Sequence, residues 1–137
     1  DVDHMLSQSD FAIGSDGISL PLSPSENKGK PHPRNYGTFP RFLRLAREKG
    51  FCDLETAVHR ITGLSASYIG LPDRGLVQPG YVADLTLFDP QTVADRATYE
   101  DPFQKPEGIC HVFMAGQPAL LHGRQTEHRL GQFLLKR

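Results

Sequence analysis

The sequence predicts an α/β chain in which helices and one short strand fill the first half and strands fill the second half. Two segments of the first half place apolar residues at helical spacing, whereas the second half changes to the alternation typical of strands. The chain has 137 residues, 38% of them apolar and 23% charged, which is enough for one ordinary domain with a single core. Its 13 glycines and 11 prolines predict loops between the elements.

The first element is predicted as the end of a helix, followed by a short buried strand. Val2, Met5 and Leu6 have helical spacing, and the apolar residues 11–14 run into an Asp-Gly pair at Asp16. A helix, a strand and an aspartate loop in this order are typical of a β/α unit. An Asp-Gly pair usually forms a turn, but an aspartate at the C-terminal end of a parallel barrel strand can be catalytic. These residues alone favour the turn.

A long loop over residues 17–37 follows and contains four prolines. Loops of this length inside a compact domain are uncommon unless they are functional or mobile. The loop is therefore the first feature of the chain that favours a functional site.

Two amphipathic helices are predicted after this loop. Thr38 caps the first, which ends at Gly50, and Asp53 caps the second, which ends at Gly63. A shorter helical turn ends at Gly70. Each longer helix carries an i, i+3, i+4, i+7 stripe: Phe39, Phe42, Leu43 and Ala46 in the first, and Leu54, Ala57, Val58 and Ile61 in the second. We assign both stripes to the core, with no cofactor implied.

The second half of the chain is predicted to form strands. Residues 83–87 alternate between apolar and polar and are stopped by Pro90. After a polar loop, residues 109–121 predict a strand, a tight turn at Ala115-Gly116 and a returning strand. The last apolar group predicts either a final strand or a docking tail: Leu130, Phe133, Leu134 and Leu135.

Composition narrows the classes of partner and compartment. With a net charge of −1, the chain has no strong positive field that would attract nucleic acid or an anionic membrane. No apolar run reaches membrane-spanning length, and no basic start precedes a hydrophobic stretch. Cys52 and Cys110 lie in different predicted elements, which favours two buried or half-buried thiols in a reducing compartment over a disulfide. We therefore expect a cytoplasmic protein without a membrane or nucleic-acid partner.

Motifs for metal, nucleotide and nucleophilic chemistry are absent from the sequence. Its histidines form no H-x-H, H-E-x-x-H or Cys-His cluster, so no metal ligands are predicted in this chain. His59 and His111 are predicted to be structural. No Ser-His-Asp set, phosphate loop or G-x-G-x-x-G pattern is present either.

Several segments together carry a family resemblance. "GSDG", "HPRNYGTFPRFL", "LETAVHRITGLSASYIGL", "RGLVQPGYVADLTLFDP" and "GICHVFMAGQPAL" occur in this order between Phe11 and Leu121. They resemble the C-terminal end of N-acyl-D-amino-acid deacylases, the D-aminoacylase-like members of the amidohydrolase superfamily. "PGYVADLTLFDP" is general to that superfamily, whereas "GSDG" combined with "HPR" and "GTFPR" favours the deacylase branch.

The resemblance implies a (β/α)8 barrel with a small β-sandwich, of which this chain is a C-terminal fragment. Residues 1–72 would form the end of the barrel, with its last strand, its helices and the aspartate loop. Residues 73–137 would form the C-terminal portion of the sandwich. The partners of the chain would then be the missing N-terminal barrel and sandwich segments, and association with further copies stays open.

The resemblance also implies zinc-dependent hydrolysis of the amide bond of an N-acyl-D-amino acid, with the zinc ligands outside this chain. Asp16 would take a proton from the zinc-bound water and pass it to the leaving amine. Arg34 would bind the substrate α-carboxylate through its guanidinium fork. His32, two residues before Arg34, is a further candidate for the substrate mouth.

Two alternative functions stay open from the sequence. Within the superfamily, another amide or cyclic-amide hydrolase would have a similar C-terminal end. Outside the enzymes, the chain would be a non-catalytic β-rich structural or interaction module in which Asp16 only turns the backbone. On the enzyme hypothesis, the chain by itself is expected to be inactive, and either poorly folded or associated through its open edges.

Overall fold

In the computed structural model, which describes residues 2–134, four α-helices precede a four-stranded sheet. The helices are α1 (Val2–Ser7), α2 (Arg34–Lys49), α3 (Leu54–Ile61) and α4 (Gly63–Ile69), with a 3₁₀ turn at Pro24–Glu26. The strands are β1 (Leu85–Phe88), β2 (Ile109–Met114), β3 (Gln117–Leu121) and β4 (Arg124–Gln125). None of the helices within residues 2–134 has the length and apolar character needed to cross a bilayer.

Helix α2 begins five residues earlier than the sequence predicted. Its N-cap is Pro33, whose fixed φ of −53° suits a helix start, and Thr38 lies inside the helix. The Thr38 hydroxyl donates to the Arg34 carbonyl at 3.0 Å, so it is not a cap. The predicted end is confirmed, because Gly50 has φ +63° and donates its N–H to the Ala46 carbonyl.

The structure confirms the predicted caps at Asp53 and Gly70, but the predicted stop at Gly63 is wrong. Thr62 is the C-cap of α3, and Gly63 is the first residue of α4. The Asp53 carboxylate accepts the Thr56 N–H at 2.7 Å, and hydrogen bonding by the Thr56 side chain and backbone lowers the pKa of Asp53. Gly70 ends α4 with φ +81° and donates its N–H to the Ala66 carbonyl at 2.9 Å. Both helix ends depend on local chemistry that the sequence displays.

The sheet is antiparallel with the order β1-β2-β3-β4, and it confirms the predicted hairpin. Ala115 and Gly116 both have positive φ, +49° and +79°, which matches the twist of a two-residue hairpin turn. Strand β4 was not predicted. Residues 126–134 form no strand, and Phe133 is 89% exposed, while Leu135 lies outside the described residues.

The prediction of a buried strand at residues 11–14 is wrong for the described structure. No strand is formed there, and Phe11 is 45% exposed. A strand requires a hydrogen-bonded neighbour, and none of the strands within residues 2–134 pairs with this segment. Its backbone instead meets α3, where the Ile13 N–H donates to the Arg60 carbonyl at 3.4 Å.

One hydrophobic core joins the helices to the second half of the chain. Its buried members are Phe42, Leu43, Ala46, Ala57 and Val93. Partly buried side chains from the sheet and from the Asp16 segment pack against them, among them Phe88, Ile109 and Ile13. The core therefore contains residues from both sides of the predicted boundary at residue 72, and the two-part division stays a prediction.

Two residues of the predicted stripes and one cysteine are more exposed than the sequence predicted. Phe39 and Leu54, the first residues of the two stripes, are 39% and 40% exposed, whereas Phe42, Leu43, Ala46 and Ala57 are buried as predicted. Cys52 and Cys110 are free thiols, as expected. Cys52 is partly buried, whereas Cys110 is exposed because it lies on an uncovered face of β2.

Candidate functional site

The three sequence-predicted site residues lie together at the start of α2. The Arg34 Nη2 atom is 3.0 Å from the Asp16 Oδ2 atom, which makes an ion pair. The His32 Nδ1 atom accepts the Arg34 backbone N–H at 3.0 Å. The structure thus brings a carboxylate, a guanidinium and an imidazole to one end of one helix.

Asp16 is held in a backbone conformation that few residues adopt. Its φ is +48°, in the left-handed region, where aspartate and asparagine are the better tolerated non-glycine residues. Hydrogen bonds on both sides fix the turn: the Gly17 N–H donates to Ser15 Oγ at 3.1 Å, and the Ile18 N–H donates to Asn35 Oδ1 at 2.8 Å. The Asp16 side chain is 87% exposed, so the turn presents its carboxylate outward.

Both ring nitrogens of His32 are engaged. Because Nδ1 accepts the Arg34 N–H, the neutral ring carries its proton on Nε2, which lies 2.9 Å from the Tyr99 hydroxyl oxygen. The two rings also meet edge to face, with centroids 5.0 Å apart. His32 therefore anchors the first turn of α2 and connects it to the loop that contains Tyr99.

Two residues of the site were missed by sequence reasoning. Asn35 joins the loop to α2, since its Oδ1 accepts the Ile18 N–H and its Nδ2 donates to the His32 carbonyl at 3.0 Å. The position of Asn35 directly after Arg34 was the sequence feature that could have identified it. Tyr99 lies 67 residues from its partner His32, so no local pattern could have identified it.

The loop over residues 17–33 is anchored at several points. The Tyr36 hydroxyl donates to the Pro21 carbonyl at 2.8 Å, and burial raises the pKa of Tyr36. The Lys30 ammonium donates to the Glu100 carbonyl at 2.6 Å. These contacts attach the loop to α2 on one side and to residues 99–100 on the other.

A groove of about 640 Å³ lies between the start of α2 and residues 95–100. Asp95 lies at its base, with a side chain only 9% exposed, and accepts the Arg44 Nε–H at 2.9 Å. This hydrogen bond raises the pKa of Arg44. The charged residues of the groove wall are four arginines and two acids: Arg34, Arg41, Arg44, Arg96, Asp95 and Glu100. Each of these arginines forms an ion pair with a carboxylate: Arg34 with Asp16, Arg41 and Arg44 with Asp95, and Arg96 with Glu107.

The described residues do not form a metal site. Within residues 2–134, no three His, Cys, Asp or Glu side chains lie close enough together to hold a metal ion. Asp16 has a guanidinium as its neighbour rather than further ligands. The chemistry that these residues can supply is therefore proton transfer by a carboxylate and anion binding by arginine.

The family model for the amidohydrolase family matches residues 23–119. The chain belongs to the amidohydrolase family. D-aminoacylase from Alcaligenes xylosoxydans xylosoxydans is 44% identical over 137 residues, which is 99% of this chain and 27% of that relative. N-acyl-D-aspartate deacylase from the same organism is 44% identical, over 98% of this chain and 26% of that relative. N-acyl-D-glutamate deacylase from the same organism is 41% identical, over 89% of this chain and 24% of that relative. The chain therefore spans about a quarter of the length of these relatives.

Solved structures of these enzymes have the same fold over the matched region. A crystal structure of D-aminoacylase superposes with a TM-score of 0.83 at 44% identity, covering 95% of this chain and 26% of that one. N-acyl-D-glutamate deacylase from Bordetella bronchiseptica, complexed with zinc and a phosphonate mimic of the tetrahedral intermediate, gives 0.76 at 39% identity, covering 90% and 26%. A further D-aminoacylase structure concerns a binuclear metal centre. These matches confirm the resemblance to D-aminoacylase-like deacylases.

Proposed function

We propose that the chain is the C-terminal part of a metal-dependent hydrolase that cleaves the amide bond of N-acyl-D-amino acids. The three curated relatives are deacylases of such compounds by name and are 41–44% identical to nearly the whole chain. The observation that carries the proposal is the Asp16–Arg34 pair, 3.0 Å apart, at the edge of an arginine-rich groove.

Asp16 is proposed to transfer the proton of the reaction. Its exposed carboxylate points away from a fixed turn, so an attacking water can approach it. A carboxylate within hydrogen-bond reach of that water takes its proton and then delivers the proton to the leaving amine nitrogen. The left-handed turn sets the direction of the carboxylate, which a freely rotating loop would not do.

Arg34 is proposed to bind the substrate α-carboxylate. A guanidinium has five N–H donors, so its contact with Asp16 leaves donors for a second carboxylate. The two side chains of the pair are 44% and 87% exposed, and an exposed ion pair contributes only about 0–1 kcal/mol. Rearrangement of this pair around a substrate therefore costs little. A carboxylate held by Arg34 would lie close to the proton-transferring Asp16.

His32 is proposed to support this site from the groove wall. The contacts of Nδ1 with the Arg34 N–H and of Nε2 with Tyr99 occupy both of its polar atoms. It would therefore shape the mouth of the substrate site and hold the backbone of Arg34, and it would contact the substrate through its ring rather than through a nitrogen.

Zinc, the metal named for the related deacylase structure, is proposed as the cofactor of the full-length protein. Since residues 2–134 contain no suitable cluster, its ligands would lie in the segments that make up the other three quarters of the relatives' length. The same segments are the proposed partners of this chain. The 137 residues by themselves are then expected to be inactive.

The Asp16→Asn variant of the full-length protein tests the proposal. Asparagine tolerates the left-handed turn and keeps the size of the side chain, but it cannot accept a proton. Turnover of an N-acyl-D-amino acid should fall to a small residual rate, about a hundred- to ten-thousandfold below that of the wild type, with zinc content and melting temperature unchanged. Asp10→Asn, at an exposed aspartate six residues earlier, is the matched control and should keep full activity. Full activity in Asp16→Asn would contradict the role of Asp16.

A further inference from the structure

Arg60 is a buried charge that the proposed reaction does not use. It lies in α3 with 0% of its surface exposed, and no Asp or Glu within residues 2–134 forms an ion pair with it. Its guanidinium carbon lies 4.9 Å from the centre of the Phe42 ring, in the middle of the core. Its Nη2 atom is buried without a hydrogen-bond partner among the described residues. A buried guanidinium without a carboxylate is costly, so its contacts call for an explanation.

The Arg60 guanidinium reaches the segment that leads to Asp16 and the end of α1. It also faces the Cys52 thiol: burial raises the pKa of Cys52, and the Arg60 charge opposes this rise. The Arg60 Nε–H donates to the Phe11 carbonyl at 2.8 Å, and its Nη1–H donates to the Leu6 carbonyl at 2.5 Å. The Arg60 backbone carbonyl accepts the Ile13 N–H at 3.4 Å. One residue thus contacts the segment through its side chain at residue 11 and through its backbone at residue 13.

Within the described residues, this segment is fixed by Arg60, by the packing of Ile13 against the hydrophobic core, and by one hydrogen bond from Tyr68. It forms no strand and is partly exposed. The Tyr68 hydroxyl donates to the Asp10 carbonyl at 2.8 Å, but that tyrosine is 63% exposed. The Arg60 contacts are the buried ones, and Asp16 begins its left-handed turn three residues after Ile13. A displacement of residues 11–13 would therefore be passed on to the Asp16 carboxylate.

Arginine suits this position better than a smaller polar residue. Its planar fork reaches two carbonyls from two separate segments, residues 6 and 11, and its stem packs against an aromatic ring. Hydrogen bonds from a charged donor to carbonyls are stronger than neutral ones. Lysine could replace the charge but could not keep both contacts in one plane.

We propose that Arg60 is a positioning residue that sets the place of the Asp16 carboxylate by holding the backbone of residues 11–13. The proposal rests on the proposed function, since it requires Asp16 to transfer a proton. Arg60 touches neither Asp16 nor the groove, so it acts only through the backbone. A small misplacement of a reacting group is enough to slow an enzyme strongly.

The test compares Arg60→Lys and Arg60→Met in the full-length protein with Arg47→Lys and Arg47→Met. Arg47 is a matched control because it also donates to two backbone carbonyls, those of Pro90 and Val93, both at 2.9 Å, but far from Asp16. The Arg60 variants should lose about ten- to a hundredfold in kcat with KM nearly unchanged. The Arg47 variants should keep kcat within about twofold, with a smaller loss of melting temperature because Arg47 is exposed. A kcat in a folded Arg60→Lys variant equal to that of the control would overturn the proposal.

A double variant separates this proposal from the proposed function. If Arg60 acts through Asp16, then Arg60→Lys should reduce residual activity no further in the Asp16→Asn background. A further loss of about tenfold in that background would overturn the positioning role while leaving Asp16 catalytic. Full activity in Asp16→Asn alone would instead contradict the proposed function.

Arg60→Gln keeps the proposal testable if the lysine and methionine variants fail to fold, because glutamine places no charge in the core. Its single amide nitrogen cannot replace both Nε and Nη1 at the Phe11 and Leu6 carbonyls. A fall in kcat of about tenfold or more at constant KM would support the positioning role. A kcat equal to that of Arg47→Gln would overturn it.

Discussion

Replacement of Arg34 by lysine should separate substrate binding from folding. The Arg34→Lys variant keeps the positive charge but loses the fork that binds a carboxylate through two parallel bonds. Loss of a charge-assisted hydrogen bond costs about 1.5–3 kcal/mol, or roughly ten- to a hundredfold in kcat/KM. Within residues 2–134 the change disturbs one ion pair, Arg34–Asp16, which is exposed and contributes about 0–1 kcal/mol to folding. The kinetic loss should therefore exceed any loss of stability.

The assay for Arg34 uses two substrates of the full-length protein. One is an N-acyl-D-amino acid, and the other is the same compound with its α-carboxylate replaced by a carboxamide. Arg34→Lys should reduce kcat/KM for the carboxylate substrate and should leave the low kcat/KM for the carboxamide substrate nearly unchanged. Arg124→Lys, at an exposed arginine of β4, is the matched control and should change neither rate. An unchanged kcat/KM of Arg34→Lys for the carboxylate substrate would refute the binding role.

Three further predictions concern stability. Gly108→Ala in the full-length protein should lower the free energy of unfolding, measured in urea, by more than about 2 kcal/mol. The reason is that φ is +74° and the new Cβ would lie 2.5 Å from the Val93 backbone nitrogen. The control Gly123→Ala, at φ +71° with no atom within 4 Å of the new Cβ, should lower the free energy of unfolding less. The pKa values of Asp53 and Asp89 are lowered by hydrogen bonds, so their contribution is present above the unfolded pKa and is lost as pH falls through the folded one. The urea midpoint of the full-length protein should therefore fall as the pH is lowered, and it should fall less steeply in the variant with asparagine at both Asp53 and Asp89. The 137-residue chain alone should associate in light scattering or melt without cooperativity in calorimetry, because exposed apolar side chains line one groove: Phe39, Leu54, Leu76 and Val77. A cooperatively melting monomer would contradict this.

Local chemistry made several elements predictable from the sequence. The cap at Asp53, the stop at Gly70 and the turn at Ala115-Gly116 each need only a few neighbouring residues, and the structure confirms them. The start of α2 was wrong because Thr38 is a capping residue type, whereas the preceding proline and His32 begin the helix in the structure. Sequence alone does not show which of two suitable residues becomes the N-cap of a helix.

Long-range contacts could not be predicted in the same way. The strand expected at residues 11–14 depends on neighbours outside the local sequence, and its apolar run alone does not supply them. Asp16, Arg34 and His32 were indicated by the family resemblance, and the structure places them together. The contact of Arg60 with Phe11 joins residues 49 apart, and nothing in the helical stripe of α3 distinguishes a buried arginine from a solvated one.

The most direct test of the central claim is the release of free amino acid by the full-length protein. Purified protein would be incubated with an N-acyl-D-amino acid and with its L-enantiomer, before and after removal of metal by a chelator and again after zinc is restored. We predict hydrolysis of the D-compound, loss of that activity on chelation and recovery with zinc. No hydrolysis of any N-acyl-D-amino acid by the zinc-loaded protein, or hydrolysis that chelation leaves unchanged, would contradict the account.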